Sequence, residues 1–148
     1  METKRLHHVS ILLPTMEQVK DFMTTYGLEI ERESYTAYGG AIVFSKMRQN
    51  ECPLEFIVPS GGSKLAEYNN GKGGIHHICF EVEDLELASN ELRAQGAVLL
   101  EEKGVYGGPH AKCNFVRPKY SHGILVELME VNPDFPEYEL PNTAPEQH

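Results

Sequence analysis

The chain has 148 residues, with 22 acidic against 13 basic side chains for a net charge of −9, and is 41% hydrophobic and 24% charged. That is material for one domain with a sizeable core, and it excludes a largely disordered chain. The acidic balance argues against nucleic acid or an anionic membrane surface as partner, and no apolar run approaches the ~18 residues of a membrane span.

Met1 to Leu6 lacks the apolar stretch of a secretory signal, so a cytoplasmic protein is expected. His8 to Leu13 reads as a strand. Pro14-Thr15 offers N-cap chemistry, and Met16, Val19, Phe22, Met23 and Tyr26 recur at helical spacing until Gly27 ends the helix. Strands are expected around Leu28 to Ser34, at Gly40 to Ser45 and at Leu54 to Val58. Residues 61–74 (GGSKLAEYNNGKGG) read as a Gly-rich linker with a short helical stretch. The order then recurs. A strand from His77 to Val82 leads through Glu83-Asp84 into a helix with Leu85, Ala88 and Leu92 on one face and Gly96 beyond its end. Strands follow around Val98 to Lys103, at Lys112 to Arg117 and at Ile124 to Met129. Four prolines after Val131 (Pro133, Pro136, Pro141, Pro145) predict an irregular tail over 132–148.

The letters repeat as well as the elements. Leu6-His-His-Val-Ser-Ile-Leu-Leu13 resembles Ile75-His-His-Ile-Cys-Phe-Glu-Val82 at an offset of 69. Phe44 pairs with Phe115 at an offset of 71, and Leu54-Glu55-Phe56 with Val126-Glu127-Leu128 at 72. A drift this small is what loop-length differences produce. The reading is a single α+β domain of two tandem β-α-β-β-β modules, about 4–60 and about 75–131, with a linker at about 61–74.

Four residues occupy equivalent places: His8 and His77 on first strands, Glu55 and Glu127 on last strands. A pseudo-two-fold axis relating the modules brings equivalent positions together there. Two imidazoles and two carboxylates suit zinc, cobalt, nickel, manganese or iron better than calcium, which prefers oxygen ligands. A lone carboxylate inside an apolar strand, as Glu55 and Glu127 both are, is costly to bury unless it is paired or holds a cation. Neighbouring residues on a strand face opposite ways. His7 and His76 are therefore expected to be structural, packed between strand and helix or bonded to backbone. Cys52, Cys79 and Cys113 are odd in number, lack a C-x-x-C spacing, and read as reduced thiols.

From Leu6 to Glu130 the chain resembles the vicinal oxygen chelate superfamily, the glyoxalase/bleomycin-resistance/dioxygenase group. The resemblance rests on His8-Val9 and His77-Ile78, a His followed by an aliphatic residue, and on Glu55-Phe56 and Glu127-Leu128, a Glu followed by an apolar one. It implies paired modules forming a half-open mixed β-sheet cup around a divalent metal, held by His8, Glu55, His77 and Glu127. Within the group, Gly73-Gly-Ile-His-His-Ile-Cys-Phe-Glu-Val-Glu-Asp84, Phe115-Val-Arg-Pro118 and Gly123-Ile-Leu-Val-Glu-Leu-Met-Glu130 look most like methylmalonyl-CoA epimerases.

That resemblance implies a metal-dependent isomerase or lyase that removes an α-proton from an acyl thioester or α-oxo compound. Glu127 and Glu55 are its candidate bases, and a homodimer is expected. The alternatives are a lactoylglutathione lyase, a metal-dependent oxygenase and a metal-free small-molecule binding or resistance protein. One departure stands out: the family's second carboxylate base falls near Ala37, where this chain has none. Glu33 and His110 are the next candidates. Lys112, Arg117 and Lys119 are expected to form a local basic patch.

Overall fold

The first helix, α1 (Met16–Thr25), opens on a reciprocal cap. The Gln18 amide donates to Thr15 Oγ1 at 3.2 Å, and the Thr15 amide donates to Gln18 Oε1 at 3.1 Å. The second, α2 (Leu85–Ala94), opens on Asp84, whose carboxylate accepts from the Leu87 amide at 3.0 Å. Glu130 adds a carboxylate at the same end, accepting from the Leu85 amide at 2.8 Å. Beyond the helices stand Gly27 and Gly96, at φ +67° and +100°, conformations that cost glycine little.

The computed structural model describes residues 1–36 and 38–137. Its strands are β1 (Arg5–Leu12), β2 (Ile30–Thr36), β3 (Gly40–Ser45), β4 (Leu54–Pro59), β5 (Gly74–Glu81), β6 (Val105–Tyr106), β7 (Ala111–Val116) and β8 (Val126–Val131). Two short 3₁₀ turns within Lys64–Gly71, broken at Tyr68, Asn69 and Asn70, lie in the expected linker. Each module is β-α-β-β-β, and the class is α+β. Among the described residues no helix is long and apolar enough to cross a membrane.

Two compact units result. One is Val9–His76, with strand order β2-β3-β4-β1, β1 and β4 running parallel and the other pairs antiparallel. Its helix α1 buries Val19 and Met23 against Val43 and Phe56. Each such side chain contributes about 1.5–3 kcal/mol on burial. Among the described residues the other unit joins Met1–His8 to 77–137, with order β5-β8-β7-β6 and β5 parallel to β8. Leu85, Ala88 and Leu92 of α2 pack there on Val82, Val116 and Leu128. Strand alternation sends Glu127 and Met129 to the opposite face, where Met129 packs with Cys79, Ala111 and Cys113.

The first eight residues are clamped into this second unit by Glu81. Its backbone oxygen accepts from the Lys4 amide at 2.8 Å, and its carboxylate takes Arg5 Nε at 3.0 Å and Lys4 Nζ at 3.3 Å. His8 is thereby delivered to the unit that holds His77 and Glu127.

Two expectations are corrected. The strand around Val98 to Lys103 does not form; Leu99 makes one isolated bridge to Val116, and the short strand comes later, at Val105–Tyr106. Side chains take the backbone groups that a strand would use. Arg93 donates to the Glu101 and Glu102 oxygens at 2.9 and 2.7 Å, and the Asn114 amide exchanges two 3.0 Å bonds with Glu101. The tail is anchored over 132–137: His110 N–H donates to the Pro136 oxygen at 3.1 Å, and the Phe135 ring meets Tyr106 at 5.6 Å. Residues 138–148 lie outside the described residues. Secondly, β1 and β5 begin three residues earlier than expected, at Arg5 and Gly74.

Candidate metal centre

The site is built where His8 of β1, His77 of β5 and Glu127 of β8 meet on the buried faces of their strands. His8, His77 and Glu127 are 0%, 4% and 6% exposed. His8 Nε2 and His77 Nε2 each lie 3.1 Å from the same oxygen, Glu127 Oε1. The two rings stand edge to face, 5.7 Å between centroids, and Phe115 packs edge-on against His77 at 5.1 Å.

Burial works to raise the Glu127 carboxyl. Hydrogen bonds and charge from His77 and His8 overcome that and hold it well below the ordinary carboxylate range. The donor set fits a divalent transition metal. Nitrogen and oxygen ligands about 2.0–2.2 Å from an ion stand about 3.0–3.5 Å apart, near the two separations seen here.

Glu55 occupies the equivalent place in the Val9–His76 unit. Cα partners are Ser10 with Glu55 and Phe44 with Glu55 in one module, and Cys79 with Glu127 and Phe115 with Glu127 in the other. The repeat seen in the letters is thus a repeat of register. Glu55 is buried, and its carboxylate accepts from the Ser10 hydroxyl.

Sequence reasoning missed two neighbours. Ser10 was invisible because the other module has Cys79 in its place. His7, expected to be packed or backbone-bonded, instead has Nδ1 2.8 Å from His8 Nδ1. Burial first, then the charges of His8 and Arg5, push the His7 imidazole down to about 4. The adjacent His-His letters were the one available signal.

Other candidates fall elsewhere. Glu33 is exposed on β2. His110 is engaged with the segment after β8, its Nδ1 2.7 Å from the Phe135 oxygen and its Nε2 3.4 Å from Glu137. Ala37 lies outside the described residues. The basic patch is divided. Lys112 pairs with Glu86 at 3.5 Å, while Arg117 and Lys119 line a cavity of about 360 Å³ with Gly96, Val98 and Tyr120.

Comparison with known proteins identifies the family. Residues 7–115 match the Glyoxalase/Bleomycin resistance protein/Dioxygenase superfamily. The chain is 35% identical over 133 residues to the ethylmalonyl-CoA/methylmalonyl-CoA epimerase of Cereibacter sphaeroides, covering 86% of this chain and 98% of that one. It is 30% identical to the mitochondrial methylmalonyl-CoA epimerase of Dictyostelium discoideum, over 85% and 78% of the two chains. In fold it resembles the Mycobacterium tuberculosis methylmalonyl-CoA epimerase, with TM-score 0.80, 24% identity, and 88% and 90% of the chains covered. A Streptomyces coelicolor methylmalonyl-CoA epimerase variant in complex with 2-nitronate-propionyl-CoA gives TM-score 0.79 at 24% identity, over 88% and 99%. Register, donor set and relatives lead to one assignment: the chain belongs to the glyoxalase/bleomycin resistance protein/dioxygenase superfamily.

Proposed function

We propose that the protein is a divalent-metal-dependent epimerase of 2-substituted malonyl-type acyl-CoA thioesters. The observation that carries this reading is the convergence of His8 Nε2 and His77 Nε2 on Glu127 Oε1, each at 3.1 Å in a buried site. We assign His8, His77 and Glu127 as metal ligands, with Glu55 as the fourth on the strength of its equivalent register. Zinc, cobalt, nickel, manganese and iron all accept such a set. A divalent ion held by these residues would supply Lewis-acid polarisation of the thioester carbonyl, which would acidify the neighbouring C–H bond.

The chain's own carboxylates do the proton chemistry. Glu127 is held as an anion, and we assign it as the base. It takes the α-proton, the electron pair of the C–H bond delocalises onto the thioester oxygen, and return of a proton to the other face inverts the centre. Glu55 is the second carboxylate of the set. Arg117 and Lys119 are the cations we assign to the phosphates of the thioester, because they share one cavity. The named relatives are epimerases, and this favours the isomerase over the lyase, oxygenase and binding readings.

The test is α-proton exchange in deuterium oxide with ethylmalonyl-CoA and methylmalonyl-CoA, alongside elemental analysis. Exchange should disappear on chelation and return with added metal. Exchange indifferent to chelation would remove the metal from the proposal, and no exchange with either thioester would remove the epimerase.

A further inference from the structure

We infer that His7 is the positioning residue of His8, its Nδ1 accepting the Nδ1–H of His8 and so aiming His8 Nε2 at the metal. The inference rests on the reading of His8 as a ligand. A neutral imidazole has one N–H for two nitrogens. If Nε2 gives its lone pair to an ion, the proton must sit on Nδ1. His8 is 0% exposed, so that N–H cannot turn to solvent and needs an acceptor inside the protein. His7 Nδ1 lies 2.8 Å away, with the rings edge to face at 79° and 5.1 Å. Cys79 also lies within reach of both rings, but a thiol is a weak acceptor beside an imidazole nitrogen. His7 then keeps its own proton on Nε2.

The equivalent of His7 in the other module, His76, packs edge-on against Tyr68 at 4.7 Å, and His77 meets the Phe115 ring. Ligating histidines generally use their second nitrogen to fix tautomer and ring plane, and loss of that partner costs about 10–100-fold in metal affinity. Here the partner is a second histidine where a carboxylate or carbonyl is usual.

Zinc titration of the metal-free protein, with ring ¹⁵N spectra of the zinc-loaded form, tests the assignment. The parent should show His8 protonated on Nδ1, with a coupling across the hydrogen bond to His7 Nδ1. His7→Phe keeps a ring without the acceptor and should bind zinc about 10–100-fold more weakly. His7→Asn places an amide oxygen near the Nδ1 position and should recover most of that loss. His8→Ala separates the two readings. If it binds zinc like the parent, the ligand assignment falls. If it loses zinc while His7→Phe binds like the parent, the positioning role alone is overturned. Should His7→Phe fail to fold, the parent spectrum decides, and a His8 proton found on Nε2 in the zinc-loaded form refutes the role.

Discussion

Ser10 stands opposite Glu55 in the parallel ladder of β1 and β4, and its hydroxyl donates to that buried carboxylate. The same place in the other module is Cys79 opposite Glu127. One glutamate thus has a serine as its register partner and the other a cysteine, so the two carboxylates are unequal before any ligand arrives.

Ser10→Ala should cost the metal-free protein about 1–3 kcal/mol, because it strips a charge-assisted bond from a carboxylate that is 7% exposed. Urea unfolding measures it. Coincident midpoints for parent and variant would show that the bond contributes nothing.

His8→Ala and His77→Ala should each lower metal affinity sharply while the circular dichroism spectrum stays that of the parent. Each removes one donor nitrogen, and neither side chain belongs to the packed layer beneath a helix. In the parent, affinity should weaken as the solution is acidified, since protons compete with the ion for the ligand lone pairs. Full metal occupancy in both variants at neutral pH would end the ligand assignment.

Glu127→Gln keeps size and one oxygen donor but removes the basic carboxylate. Metal should be largely retained while α-proton exchange drops ~10²-fold or more, the usual scale for a positioned general base. Glu55→Gln should be milder. Exchange at the parent rate in the Glu127 variant would place the base elsewhere.

Gly73→Ala should destabilise by roughly 2–4 kcal/mol. The residue has φ +76°, and a methyl group there would press on the Leu12 carbonyl, which is backbone and cannot swing away. Thermal unfolding reads this directly, and an unchanged midpoint would mean that the loop before β5 re-forms at little cost.

What the sequence disclosed is what local chemistry and repetition record. His8, Glu55, His77 and Glu127 were legible because the same letter returns at the same register. Thr15 and Asp84 were legible as caps because capping is decided within four residues. The absent strand after α2 was not legible, since it depends on Arg93 and Asn114 reaching backbone groups far along the chain. Lys112 and Arg117 looked like one patch in the letters, yet Lys112 is drawn to Glu86 at the start of α2. The membership of Met1–His8 in the second unit was equally hidden, because Glu81 decides it.

That membership bears on the order of synthesis. A ribosome makes His8 119 residues before Glu127, so that histidine waits through most of the domain's synthesis for the carboxylate it will face. Among the described residues the Val9–His76 unit is continuous and can fold as it emerges, whereas the unit carrying the candidate centre closes only after β8 has left the exit tunnel. On the proposed reading of the centre, metal capture waits for Glu127, and an arrested chain ending before it should emerge without the ion.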